Sequence, residues 1–445
     1  MYKPSKFNYF TNDISEGLLL YNSFNDSYAK VTKENKDETI SILSSKTIML
    51  NEGNEVKIKA LTEKGFLIDE KIDENQKLNM LIAETVNGSE LSLTILPTEQ
   101  CNFRCKYCYE DFKRGKMTDV VQESLVRYVK KNIHKYSALN VSWFGGEPLV
   151  AFDVIENLSG KFIEICKKTK RKYSANMVTN GYLLTLDNFR KLLKYKVLAY
   201  QLTIDGLKET QDYQKPLVGG GGTFDRVIEN LLAIKNNVKT GIFSIMIRTN
   251  FTKEIYEQID EYIDFYHEHF GDDKRFGFFI RPASNFGGDR VKEMYSSFLG
   301  DGGILEICDK FVKNDKALAL MNNIFLRPGA NICYAAHPTK FVIDSEGGVR
   351  KCSCNLDDDN YNKIGHLTEN GEMGIDADKH SKWFFSFERD KICSQCFLLP
   401  TCLQNNCPEK RIIHNIQENI CPYEKTLVDY TLQLYSKTEP FDMIY

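Results

Sequence analysis

The sequence lacks an excess of either charge and lacks any long apolar run. Its 58 Lys and Arg against 61 Asp and Glu leave a formal charge of -3, which argues against a polyanionic partner such as nucleic acid. The basic run Lys167 to Lys172 (KKTKRK) reads as the exposed end of a helix. No apolar stretch approaches the roughly 18 residues that span a bilayer, and the start MYKPSKFNYF does not have the pattern of a signal peptide. No membrane partner is expected, and a cytoplasmic location is. There disulfides are rare, and clustered cysteines bind metal or do chemistry.

What the sequence does have is cysteine. Of 13 in 445 residues, three fall between 101 and 108 and eight between 333 and 421. Cys166 and Cys308 stand apart in helix-like segments and read as small buried side chains. Hydrophobic content of 42% and charged content of 27% describe a globular chain long enough for two or three domains.

The first group is Cys101-Asn-Phe-Arg-Cys105-Lys-Tyr-Cys108, a C-x3-C-x2-C run after the apolar segment Leu91 to Pro97. A 4Fe-4S cluster has four irons and usually four cysteine ligands. Three thiolates on one loop therefore leave an iron free to bind something reactive. The alternative is a zinc knuckle, although zinc sites favour C-x2-C pairs in twos.

This run, with Tyr107 ahead of its last cysteine, resembles the signature loop of the radical S-adenosylmethionine (SAM) superfamily. The resemblance implies that SAM chelates the open iron and is cleaved reductively. The resulting 5'-deoxyadenosyl radical takes a hydrogen atom from substrate, and a reductant such as flavodoxin or ferredoxin supplies the electron. Cys101, Cys105 and Cys108 are then both metal ligands and catalytic residues.

From residue 89 to 315, short apolar runs alternate with amphipathic helical ones. Strands are expected at Leu91–Leu96, Leu139–Phe144, Ser174–Thr179, Ala199–Ile204, Ile242–Thr249 and Phe276–Arg281, with helices such as Val120–His134, Phe152–Lys168 and Phe224–Asn236 between them. Such alternation makes an α/β fold with a parallel sheet, and six units match the family's partial (β/α)6 TIM-like barrel. Chemistry in such barrels gathers at the C-terminal strand ends.

Four strand tips there are polar. Gly145-Gly146-Glu147 matches the family's GGE motif, whose backbone and acid hold the amino group of SAM. Thr179 and Asn180, then Thr203 and Asp205, fall where the family contacts the ribose and carboxylate. Arg248 and Asn250 match a recurrent Arg-Thr-Asn tip, where a guanidinium suits a carboxylate. A frequent companion, His-Asp-x-x-Arg, falls on Gln211 to Lys215 with His and Arg both replaced, so no SAM contact is assigned to it. Gly219 to Gly222 lacks the features of a phosphate cradle and reads as a connection. Arg281 is a candidate substrate contact.

The later cysteines are spaced Cys333-x13-Gly347-x4-Cys352, then Cys393-x2-Cys396-x5-Cys402-x4-Cys407, then Cys421. This resembles the SPASM extension of peptide-modifying radical SAM enzymes, here residues 316–445, which carries two auxiliary 4Fe-4S clusters. The gap before Cys407 has four residues where the family usually has three. Carried over, Cys393, Cys396, Cys402 and Cys421 hold an outer cluster, and Cys333, Cys352 and Cys407 an inner one. Either Cys354 completes the inner set or a coordination site stays open. The zinc alternative for these eight is two ribbons without barrel chemistry.

Residues 1–88 read as short strands and helices. Two strands surround an Asn-Asp turn within Gly17 to Val31, a helix covers Lys36 to Ser44, and Ala60 to Asp69 reads as a helix end, a Gly stop and a strand. The unit resembles the winged-helix domain that takes up a leader peptide as an added strand; the alternative is a packing extension of the catalytic domain. The whole implies an enzyme that modifies a ribosomally made precursor peptide, foremost by a Cys thioether crosslink. Carbon-carbon crosslinking, epimerisation and formylglycine formation are the enzymatic alternatives, and an iron-sulfur peptide-binding or electron-relay scaffold is the other.

Overall fold

The computed structural model describes residues 1–13, 16–283, 290–299, 303–312, 314, 326–384, 391–416, 421–438 and 442–443. The chain begins with β1 (Tyr2–Pro4) and the meander β2 (Asn8–Asn12), β3 (Leu18–Asn22) and β4 (Ser27–Val31). The turn between β3 and β4 passes through Asp26 at φ 52, a conformation that Asn and Asp tolerate better than most residues. A helix covers Lys36–Ser44, another covers Glu55–Glu63, and Gly65 at φ 74 stops it before β5 (Leu67–Asp69). These are the elements expected. A further helix, Glu74–Val86, is capped by the Asp73 side chain, which accepts from the Asn75 amide.

Six parallel strands follow: β6 (Glu90–Ile95), β7 (Ala138–Trp143), β8 (Lys172–Thr179), β9 (Val197–Thr203), β10 (Ser244–Phe251) and β11 (Phe276–Pro282). Each pairs with the next in chain order. All six lie where the apolar runs place them, to within two residues. Alternation fixes which side chains face out. Leu91, Leu93, Leu139, Val141 and Trp143 are buried in one core with helices Asp119–Asn132 and Phe152–Lys168. The intervening residues are polar, with Ser142 donating to Asn176 and Asn140 to Glu90, each at 2.7 Å. A partial barrel with a polar lumen results.

The C-terminal region does not stand apart from this barrel. β12 (Lys340–Ile343) runs parallel beside β6, and β13 (Gly348–Arg350), β14 (Lys363–Leu367) and β15 (Met373–Ile375) continue as antiparallel strands. One ten-stranded mixed sheet therefore crosses the division expected near residue 315. The glycine of the second cysteine pattern has a local reason: Gly347 turns at φ 88 between β12 and β13. Asp344 braces that turn, accepting from the Gly348 amide at 2.7 Å and from Arg350 at 2.8 Å.

The front sheet is completed by β16 (Asp442–Met443), parallel to β4, in the order β16-β4-β3-β2. Leu18, Leu20, Ala29 and Val31 pack on the front helices. On its other face, Leu19 and Tyr21 meet Leu326, Leu398, Val428 and Leu432. The front unit is thus seated on the cysteine-rich region. Cys308 lies in helix Gly303–Val312, its side chain outside the described residues. Among the described residues, no helix is long and apolar enough to cross a membrane.

Candidate active site

At the C-terminal ends of the strands lies a cavity of about 270 Å³. Its wall includes Cys101, Cys105, Tyr107 and Cys108 from the cysteine loop, and Gly145, Gly146, Thr179, Asn180, Thr203, Arg248 and Asn250 from the strand tips. The sequence-expected residues therefore converge, with three exceptions: Glu147, Asp205 and Arg281.

Glu147 and Asp205 are fully buried and do not line the cavity. The Glu147 carboxylate accepts from the Leu149 amide at 3.0 Å, the Thr179 hydroxyl at 2.8 Å and the Asn180 amide at 2.7 Å. Burial pushes its pKa up to about 7 against these donors. Asp205 accepts from the Asn250 amide at 2.9 Å and from the Tyr107 hydroxyl. Both acids tie one strand tip to the next, because an unpaired buried carboxylate needs donors from the nearest backbone.

The cysteine loop is held from three sides. Arg104 and Lys106 donate backbone bonds to Pro216 and Gln214 at 2.8 and 3.0 Å, and Val218 donates to Asn102 at 2.9 Å. Asn180 donates to the Asn102 side chain at 2.8 Å. The two glycines explain the close fit of β7. A Cβ on Gly145 would lie 2.3 Å from the Thr98 oxygen, and one on Gly146 2.3 Å from that of Glu99. Only glycine lets the loop approach so closely.

The segment Gln211 to Lys215, left unassigned from sequence, supplies both scaffold and wall. Gln211 accepts from the Asp205 amide and donates to Thr223. Asp212 caps the next helix through the Thr223 and Phe224 amides. Lys215, however, lines the cavity. Its Nζ donates to the Thr203 oxygen at 2.6 Å and lies 4.0 Å from Asp205. The signal was present: lysine keeps the positive charge of the arginine it replaces. The glycine run 219–222 closes a turn, with Leu217 donating to the Gly221 oxygen at 3.2 Å. Arg281 lies over the Phe279 ring and is not part of the cavity wall.

The chemistry of the donors fits a metal cluster. Burial pushes Cys101 and Cys108 up to about 12, with Glu147 and the neighbouring thiols adding at Cys101 and Cys105 adding at Cys108, and burial raises Cys105 as well. Three thiolates cannot persist side by side in such a setting unless a cationic centre neutralises them. Among the described residues, no three His, Cys, Asp or Glu converge as they would around a single ion.

The later cysteines assemble into two neighbourhoods. Cys402 is pushed up to about 12 by burial, with Cys396 and Cys421 adding to it. Lys425 donates to the Cys421 sulfur at 3.5 Å and feels Cys393 and Cys396 as well. Cys333 is raised to about 11 by burial, with Cys407 and Cys354 contributing. A hydrogen bond from Cys352 holds the Cys354 thiol below its ordinary value. Cys354 alone among these eight reaches the wall of the cavity that holds the first three cysteines. Ahead of Cys407, Leu403 and Gln404 are both left-handed, at φ 45 and 61.

Comparison with known proteins agrees with this arrangement. Residues 95–266 match the family model of the radical SAM superfamily. The chain is 26% identical over 213 residues to the radical SAM cyclopropyl synthase TigE of Paramaledivibacter caminithermalis, covering 42% of this chain and 43% of that protein. It is 29% identical over 184 residues to a GTP 3',8-cyclase of Clostridium perfringens, covering 39% and 52%. The chain thus spans about half the length of the curated relatives it matches. Its fold is similar to that of native anSMEcpe, solved with bound AdoMet (SAM) and the Cp18Cys peptide. The TM-score is 0.57 at 21% identity, covering 78% of this chain and 97% of that one. The family implies a 4Fe-4S cluster and SAM. The residues at 95–266 thus form a radical SAM domain.

Proposed function

We propose that this enzyme modifies a ribosomally made peptide, joining a cysteine sulfur of that peptide to one of its carbons. The observation that carries the reading is Cys354, which belongs to the inner thiol neighbourhood and also opens into the cavity of Cys101, Cys105 and Cys108. A thioether forms with loss of two hydrogens, so an acceptor for the departing electron is needed beside the substrate. An iron-sulfur centre on Cys333, Cys352, Cys354 and Cys407 would stand there. Likeness in fold to anSMEcpe, which binds AdoMet and a Cys-bearing peptide, supports a peptide substrate.

In this reading Cys101, Cys105 and Cys108 hold the first cluster. When bound, that cluster and SAM supply the radical that abstracts hydrogen. The chain's own residues do the rest. Arg248 offers a guanidinium to a carboxylate, and its Nε is oriented by Asn250 at 3.0 Å. Gly145 and Gly146 keep backbone at the cavity surface. Glu147 and Asp205 act through their neighbours, fixing Asn180 and Asn250. Cys393, Cys396, Cys402 and Cys421 would hold an outer cluster. The front unit, residues 1–88, would take up a leader peptide, and a flavodoxin or ferredoxin would reduce the protein in the cytoplasm.

The test is anaerobic incubation of the reconstituted protein with SAM and a short cysteine-bearing peptide encoded beside its gene. Loss of two hydrogens with capture of the cysteine thiol, read by mass spectrometry, is expected. A crosslink that still forms when Cys352, Cys354 and Cys407 are all replaced would overturn the reading. Likeness to TigE, a cyclopropyl synthase, favours carbon-carbon bond formation as the second reading. In that case the mass falls equally but the thiol remains free.

A further inference from the structure

A second, smaller chamber of about 60 Å³ adjoins the main cavity. Tyr109, Glu110 and Cys354 line both spaces and form the partition between them. Beyond the partition the wall carries Glu99, Asp111, Lys113 and Asp357.

The charges there do not balance. Arg114 bonds Glu99 at 3.1 Å and Asp357 at 3.4 Å, while Lys113 bonds Asp357 at 2.7 Å and lies 3.4 Å from Asp111. Arg114 also lies 3.6 Å from Glu346, so two cations serve four carboxylates, and Glu110 is a fifth. Its Oε2 is buried and meets no hydrogen-bond partner among the described residues. Arg290 donates to the main-chain oxygen of Glu110, at 3.4 Å, and its guanidinium lies over the Phe112 ring. A buried carboxylate oxygen without a donor is destabilising, so a group that brings donors and positive charge is favoured there.

We propose that this chamber is a subsite for a cationic side chain of the peptide, a lysine ammonium or arginine guanidinium, with Glu110 as its counter-charge. The inference rests on the peptide reading above and deepens it. A residue held in the side chamber leaves its neighbours in the chain at the mouth of the SAM cavity, so the subsite selects which carbon is presented. The chamber's small volume admits the charged tip of such a side chain and excludes a ring.

The probes are single capped residues, which need no precursor. Binding of N-acetyl-lysine amide, N-acetyl-arginine amide and N-acetyl-norleucine amide to the reconstituted holoenzyme is measured by calorimetry, with iron content and SAM binding recorded on the same samples. Both cationic probes are expected to bind on the order of tenfold more tightly than norleucine. E110Q keeps the shape and removes the charge, and is expected to abolish that preference. Equal binding of lysine and norleucine amides by the unaltered protein overturns the proposal without recourse to a variant. So does an unchanged preference in E110Q at full iron content. A protein that prefers the cationic probes but modifies no peptide would sink the peptide reading alone. One that crosslinks a peptide free of lysine and arginine, with E110Q as active as the parent, would sink the subsite alone.

Discussion

The two cysteine regions bring thiols together by opposite constructions. At 101–108 three thiols sit on one loop, and the work of the fold is to hold that loop against β7, β8 and the segment 214–218. Between 333 and 421 the thiols arrive on separate segments, and the fold must first bring those segments together. It does so by laying β12 against β6 and seating the front sheet on Leu398, Val428 and Leu432. A local motif fails when its backbone is disturbed, whereas a gathered one fails when any contributing segment moves.

Replacing one thiol in each region tests the contrast. C105A is expected to abolish 5'-deoxyadenosine formation, a fall on the order of a thousandfold, with iron lost from one cluster. C354S leaves that chemistry within a few-fold and lowers peptide product at least about tenfold, since its thiol belongs to the inner group. Parallel assays of 5'-deoxyadenosine and product separate the two. If C354S lost both equally, the inner group would serve the first step, and the contrast would be broken.

The same contrast governs what could be read in advance. The barrel strands, the cysteine loop and most of its wall were legible because each signal is local: an apolar run, a triple of cysteines, a polar strand tip. Glu147 and Asp205 were legible as residues of the site but not as its inner supports, because sequence does not reveal that backbone amides of Leu149, Asn180 and Asn250 would occupy their carboxylates. Lys215 was passed over because its motif was altered at two positions. The continuity of β12 with β6 was not legible, since pairing between strands roughly 250 residues apart leaves no local trace. Nor was the seating of the front unit on the second cysteine region.

Two substitutions sharpen the account of the first region. G146A would place a Cβ 2.3 Å from the Glu99 oxygen and 2.7 Å from that of Gln100. The loop must shift, at a cost of about 1–3 kcal/mol, and iron retention through a desalting column should fall with it. E147Q changes how stability depends on pH. Burial raises the Glu147 pKa from 4.5 to about 7, so the folded protein holds that proton more tightly than the unfolded chain. The stabilisation is complete below about pH 4.5 and is lost as pH rises through about 7, up to about 3 kcal/mol in all. Denaturant unfolding between those values should show this slope in the parent and a flatter one in E147Q.

The smallest effect belongs to the second region, at its one-residue excess. Gln404 is left-handed at φ 61, directly after Leu403 at φ 45, and its side-chain Oε1 is buried without a partner among the described residues. A side chain costs roughly 1–2 kcal/mol in this conformation, and glycine removes that cost while giving back part of it as unfolded-chain entropy. Q404G should therefore stabilise the protein by about 0.5–1 kcal/mol, a rise of a few degrees at most in the melting temperature. Cys402 and Cys407 stay in place because the Cys402 oxygen accepts from Asn405 at 2.7 Å and the Asn405 oxygen accepts from Cys333 at 3.0 Å. A fall in melting temperature with loss of iron would mean instead that the left-handed pair is what holds the two thiol groups at their separation.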